Sequence, residues 1–267
     1  MKNPLQDQVV LITGASAGIG AALARACAAA GAHVALTARR EDRLQALAAE
    51  IEATGRRALA LRADVTRDGD LEAAVAATRA ALGGVDVVIA NAGFSVSGAL
   101  AKLTLDDHRR QFETNVFGVL RTVHAALPAL TERRGRLALV GSVAAYVYPP
   151  GVGSYNMSKA AVVALAETLR VELAPTGVSV TLVTPGFVAS EIRQVDNAGV
   201  YQAERGDPAP QWLVMPAERA ARQIIRAIVR REREAIITWH GKAAVALGRH
   251  APGLRSLLLR RTTGQAP

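Results

Sequence analysis

The chain has 267 residues, half of them hydrophobic, and carries 32 Lys plus Arg against 23 Asp plus Glu for a formal net charge of +9. That length suits one large α/β domain with a substantial core, and no apolar run approaches the roughly 18 residues of a membrane span. A single cysteine, Cys27, excludes an internal disulfide and fits a reducing cytoplasm. Positive charge raises nucleic acid as a partner, but the arginines are dispersed and only 4% of residues are aromatic. No nucleic acid is therefore expected, and an anionic cofactor with a solvated surface accounts for the excess. The five histidines show no metal-ligand spacing, so no metal is expected.

Residues 8–13 form a short β-rich apolar run of the kind that makes a buried parallel strand. It leads into Gly14-Ala-Ser16-Ala-Gly18-Ile19-Gly20 and then an alanine-rich helical stretch, residues 21–30. Strand, glycine loop and helix are the context of a phosphate cradle: glycines let the backbone approach a pyrophosphate, and the helix N-terminus faces its charge. Cys27 falls in this helix and reads as a small core residue.

A second strand, residues 33–38, ends in Arg39-Arg40. An acidic side chain at that strand end would hold the ribose hydroxyls of NAD(H), whereas arginine welcomes a 2′-phosphate. Ala38 followed by Arg39 points to NADP(H) over NAD(H), against the plainer reading of two solvated charges opening a helix. Residues 41–54 read as a helix and residues 58–63 as a strand closing with Asp64-Val65. Residues 70–82 read as another helix, and residues 85–90 as a strand ending in Asn91-Ala92-Gly93. This alternation predicts a single-domain, Rossmann-like, doubly wound parallel sheet in three α/β/α layers. Ligands of such sheets bind at the carboxyl ends of the strands, where Gly14, Arg39, Asp64 and Asn91 all fall.

Further on, a strand over residues 136–142 ends at Ser142, and residues 154–173 contain neither Pro nor Gly and read as a helix. Tyr155 and Lys159 then lie at i and i+4 on one face. A free phenol titrates near pH 10; a cation beside it is expected to favour the phenolate and bring it toward the working range. Only four of the 32 basic residues are lysines, so a lysine kept at this spacing suggests a compact ammonium that also bonds sugar hydroxyls.

Thr13-Gly14-x-x-x-Gly18-Ile19-Gly20, Asn91-Ala92-Gly93, Asn115, Ser142, Tyr155-x-x-x-Lys159 and Pro185-Gly186 stand in one order and spacing. In these motifs, over about residues 8–240, the chain resembles the classical short-chain dehydrogenase/reductase family. The resemblance implies that Tyr155 is the general acid and base at the carbonyl oxygen, that Ser142 hydrogen-bonds the same oxygen, and that Lys159 holds the nicotinamide ribose and lowers the Tyr155 pKa. It implies that Asn115, inside a helix, anchors a water. It places Gly14, Ser16, Gly18, Ile19, Gly20, Arg39, Arg40, Asp64, Val65, Asn91, Ala92, Gly93, Pro185, Gly186 and Val188 along the cofactor. Two departures stand out: Ala90 where the family often has Asn, and Ser190 where it often has Thr.

Phe94, Val96, Val143, Tyr146 and Phe187 follow the strand ends and give the expected substrate pocket apolar walls, which suit a hydrophobic ketone, aldehyde or alcohol. Residues 190–215 read as a mobile lid. After a last strand near residues 234–239, a basic apolar extension, residues 241–267, is expected to pack on protein, with peripheral membrane contact as the alternative. Resemblance implies a homodimer or homotetramer built on the helices bearing Asn115 and Tyr155. The expected function is NADP(H)-dependent carbonyl reduction by direct hydride transfer. The alternatives are a 3-oxoacyl carrier-protein reductase and a non-catalytic NADP-sensing module.

Overall fold

The computed structural model describes residues 3–262. Seven strands, β1 (Val9–Thr13), β2 (His33–Ala38), β3 (Ala58–Arg62), β4 (Val87–Ala90), β5 (Arg136–Val140), β6 (Ser179–Pro185) and β7 (Glu234–Ile237), form one sheet in the order β3-β2-β1-β4-β5-β6-β7. Every pairing is parallel. The order reverses between β1 and β4, which opens a crevice at their carboxyl ends.

Among the described residues ten α-helices accompany them, the last two following β7: α1 (Gly18–Ala29), α2 (Glu41–Glu52), α3 (Asp70–Leu82), α4 (Leu105–Phe112), α5 (Gly118–Arg133), α6 (Ala144–Val147), α7 (Gly153–Glu172), α8 (Ala217–Val229), α9 (Trp239–His250) and α10 (Pro252–Thr262). Central strands read as unbroken Val, Ile and Leu runs because both faces of the sheet are covered; all five β1 residues are buried. On one face α1, α2 and α8 close a core around Val10, Ile12, Leu36 and Val183. The buried stripe of α8, Ala217, Ala220, Ala221, Ile224, Ala227 and Ile228, keeps helical spacing. On the other face α3, α5 and α7 cover Leu11, Val88, Leu137 and Leu182. Cys27 is 1% exposed in the first core, and burial pushes its thiol up to about 12, so it is a packing residue.

The helix expected around Asn115 differs in kind. Glu113–Phe117 is a single π turn between α4 and α5, the local widening that places a side chain out of α-helical register. Residues 190–215 contain two 3-10 turns, Glu191–Gln194 and Gln211–Leu213.

The packing continues past residue 240. Within α9, Val245 is 1% exposed and Arg249 bridges to Glu234 at 2.6 Å, while in α10 Leu254, Leu257 and Leu258 face outward. The expected extension also included residues 263–267, which lie outside the described residues. Among the described residues no helix is long and apolar enough to cross a membrane.

Candidate active site

Thr13 and Asn91 lace the crevice together where β1 and β4 end. The Asn91 Nδ2 donates to the Thr13 carbonyl at 2.9 Å and the Gly14 carbonyl at 3.2 Å, and Thr13 Oγ1 accepts from the amides of Asn91 and Ala92 at 3.1 Å each. The loop is so tight that a Cβ on Gly20 would stand 2.2 Å from the Gly14 carbonyl oxygen. Only glycine allows that approach, and the loop delivers the α1 N-terminus to the crevice. Asp64 accepts from the Thr66 amide and hydroxyl at 3.0 and 2.8 Å. Val65 is 8% exposed and packs against Gly118.

At the β2 end, Arg39 donates to the Gly199 carbonyl at 3.0 Å. Arg40 donates to Ser16 Oγ at 3.0 Å and pairs with Glu191 at 2.8 Å.

The sheet brings the remaining predicted groups to the neighbouring strand ends. Ser142, two residues beyond β5, is 9% exposed, and its Oγ accepts from the Ala144 amide at 3.1 Å. Tyr155 lies in the first turn of α7 and Lys159 one turn on, its Nζ 5.7 Å from the Tyr155 ring centroid. The ammonium is 3% exposed and donates to the Val140 carbonyl at 2.8 Å. The shared face predicted from their spacing is therefore present.

Its electrostatics differ from the expectation. Burial pushes the Tyr155 phenol up; the groups pulling it back are the Ser142 hydroxyl, by hydrogen bonding, and the Arg193 charge, not Lys159. Lys159 is itself desolvated, which brings it down to about 8. Proximity alone does not set the sign, because Tyr155 is half-buried and Lys159 is buried, and desolvation opposes the charged form of each.

Asn115 is 0% exposed in the π turn. Its Nδ2 donates to the Phe94 carbonyl at 3.0 Å and to Ser158 Oγ at 3.1 Å, and its Oδ1 accepts from the Phe94 amide at 3.1 Å. The side chain ties the β4 exit to α7, one residue from Lys159.

Three expected pocket walls are elsewhere. Val96 is 0% and Phe94 8% exposed, held inside because Gln111 bonds the Val96 amide at 2.7 Å and the Phe94 carbonyl at 2.8 Å. The Tyr146 hydroxyl donates to Glu234 at 2.9 Å and accepts from Arg249 at 2.9 Å, which turns it toward α9. Val143 and Phe187 stay accessible, Phe187 at 37%, while Val188 is 2% exposed.

Sequence reasoning missed two groups here. Arg193 forms a two-pronged pair with Asp207 at 2.6 and 2.7 Å and stands 5.8 Å from the Phe187 ring, tying together two parts of the segment over residues 190–215. His240 Nε2 accepts from the Phe187 amide at 3.2 Å and contacts Thr238 Oγ1 at 3.1 Å; a Cβ on Gly186 would meet it at 2.7 Å. Accepting that amide puts the ring proton on Nδ1, and burial lowers the His240 pKa, which keeps it neutral. Thr238 adopts φ 84°, rare for a β-branched residue, to aim this junction. No spacing rule marks these side chains; the His240 contact with the Phe187 amide spans 53 residues of chain.

Glycine loop, laced strand ends and a Ser, Tyr and Lys group in one crevice are the site of a dinucleotide-dependent oxidoreductase. The model of the short chain dehydrogenase family matches residues 8–200. The chain belongs to the classical short-chain dehydrogenase/reductase family. It is 36% identical over 228 residues to a glycine betaine reductase of Emericella nidulans; that stretch is 85% of this chain and 18% of the relative, so the chain spans a small part of that protein. Among solved structures it is similar to a family member from Burkholderia phymatum in complex with NAD (TM-score 0.84, 28% identity, 94% of this chain and 96% of that one). It is also similar to one from Burkholderia cenocepacia in complex with NADP (TM-score 0.79, 33% identity, 90% of this chain and 100% of that one).

Proposed function

We propose that the protein is an NADP(H)-dependent carbonyl reductase for hydrophobic ketones, aldehydes or the corresponding alcohols. The observation that carries this reading is the meeting of Ser142, Tyr155 and Lys159 beside a glycine loop to which Arg40, one of the two arginines that follow β2, is bonded. When bound, the nicotinamide supplies or accepts the hydride. Tyr155 gives its phenolic proton to the carbonyl oxygen as that oxygen gains charge, and Ser142 donates a hydrogen bond to the same oxygen. Lys159 has donors beyond the one spent on Val140 for a ribose hydroxyl, and Asn115 keeps the β4 exit fixed against α7. Val143 and Phe187 offer apolar walls. Arg39 and Arg40 favour the phosphorylated dinucleotide, and the B. cenocepacia complex with NADP supports that choice.

The reading extends to the cytoplasm as compartment and to a homodimer or homotetramer through the helical stretch bearing Asn115 and through α7, which bears Tyr155. Exposed Phe117 and Met157, at 49% and 44%, support that surface. Assaying hydrophobic carbonyls and a 3-oxoacyl carrier-protein thioester with NADPH and NADH tests it. Turnover of the thioester alone would favour a fatty-acid role, and cofactor binding with no turnover a sensing role.

Two expected results follow from the site's protonation. Because burial holds the Tyr155 phenol protonated, carbonyl reduction should persist through neutral pH and fall only at alkaline pH. Alcohol oxidation, which needs the phenolate, should rise with pH; a pH profile of kcat in both directions checks this. His240→Ala should weaken NADPH binding about three- to tenfold by freeing the Phe187 amide, and His240→Gln should recover part of it. Affinity for 2′,5′-ADP, which lacks the nicotinamide, should be unchanged, as titration calorimetry would show.

A further inference from the structure

The lid meets the protein at the place where the adenosine end of the cofactor is expected. Glu191 lies between two arginines of the β2–α2 junction, 2.8 Å from Arg40 and 2.6 Å from Arg43, with its side chain 26% exposed. Ser190 just before it packs on Gly18 so closely that a Cβ there would sit 2.9 Å from the Ser190 Cβ. Arg40 also holds Ser16 of the glycine loop at 3.0 Å. Two more contacts join the same arginines to the lid: Arg39 donates to the Gly199 carbonyl at 3.0 Å, and Arg43 stands 5.8 Å from the Tyr201 ring. Arg39, Arg40 and Arg43 are thus all engaged by residues 191–201.

We infer that Glu191 is a specificity-determining residue: its carboxylate takes the position of an anion on Arg40 and Arg43, and a cofactor's 2′-phosphate must displace it. This rests on the NADP(H) reading, since that reading assigns Arg40 to the phosphate, and Arg43 stands beside it on the same carboxylate. A carboxylate and a phosphate bonding the same guanidinium groups compete for the donors and repel each other. An unphosphorylated ribose makes no such demand. Glu191 therefore moderates the preference for NADPH over NADH that the arginines create, and it makes release of the lid's first turn part of NADPH binding.

The test is fluorescence titration of the wild type, Glu191→Gln and Glu191→Ala with NADPH and NADH, with thermal midpoints as the folding control. Both variants should bind NADPH about three- to tenfold more tightly, the range expected for freeing partly exposed ion pairs and removing a like charge, while NADH affinity changes less than about twofold. Unchanged or weaker NADPH binding, or equal tightening for both cofactors, would overturn the assignment. The wild-type ratio of the two affinities tests the NADP(H) reading separately: a preference for NADH there would refute that reading, while the change of ratio in the variants would still judge Glu191.

Discussion

Lys159→Met is expected to stabilise the cofactor-free protein while removing at least about a hundredfold of its turnover. The Lys159 ammonium is 3% exposed, its hydrogen bond goes to the neutral Val140 carbonyl, and burial brings its pKa from 10.5 down to about 8. Below pH 8 both folded and unfolded chains carry the charge, and the folded one bears its desolvation. At about 1.4 kcal/mol per pKa unit, the cost is about 3 kcal/mol. Between pH 8 and 10.5 the unfolded chain binds more protons, so the wild type should gain stability as pH rises through that window. Methionine keeps the chain length and removes the charge but leaves the Val140 carbonyl unbonded, which returns about 1 kcal/mol or more. The net gain at pH 7 is about 1–2 kcal/mol, a rise of several degrees in the thermal midpoint. Thermal scans at pH 7 and pH 10 check it: the variant should lead at the first and lose that lead at the second. A lower midpoint at pH 7 would mean that the buried ammonium is a net structural asset.

Tyr155→Phe is the second large effect. The ring packing survives and only the hydroxyl is lost, so the thermal midpoint should move little. The carbonyl oxygen loses its proton donor, and Ser142 remains as a neutral hydrogen-bond donor that cannot complete the transfer. The expected loss in kcat is about 10²–10⁴-fold, the usual contribution of a positioned acid, with NADPH affinity within about twofold. Single-turnover NADPH oxidation and an equilibrium titration separate the two quantities. A variant with near-normal rate would remove Tyr155 from the chemistry.

Much of the framework was legible because it rests on local pattern. Strand β1, the Gly14–Gly20 loop and α1 follow from period and glycine spacing, and the common face of Tyr155 and Lys159 follows from an i, i+4 step in a stretch without helix breakers. What escaped was set by contacts distant in sequence. Tyr146 turns from the pocket because Glu234 and Arg249 lie 88 and 103 residues further on. Val96 is interior because Gln111 folds back onto the β4 exit, and nothing in an apolar residue after a strand distinguishes wall from core. The π turn at Asn115 depends on a shift of hydrogen-bond register that residue type does not encode. The sign of the Tyr155 shift needed burial, which spacing does not contain. The pairing of Arg40, expected to meet a 2′-phosphate, with Glu191 151 residues later follows no motif.

The central claim is that Tyr155 delivers a proton to a carbonyl oxygen while its carbon receives hydride from bound NADPH. Its most direct test is reduction of a prochiral hydrophobic ketone with NADPH deuterated at the transferring position of C4, in ordinary water, by the wild type and Tyr155→Phe. Mass spectrometry of the product should find one deuterium on the carbinol carbon for the wild type and no product above background for the variant. Product without deuterium, or equal yield from the variant, would contradict the account.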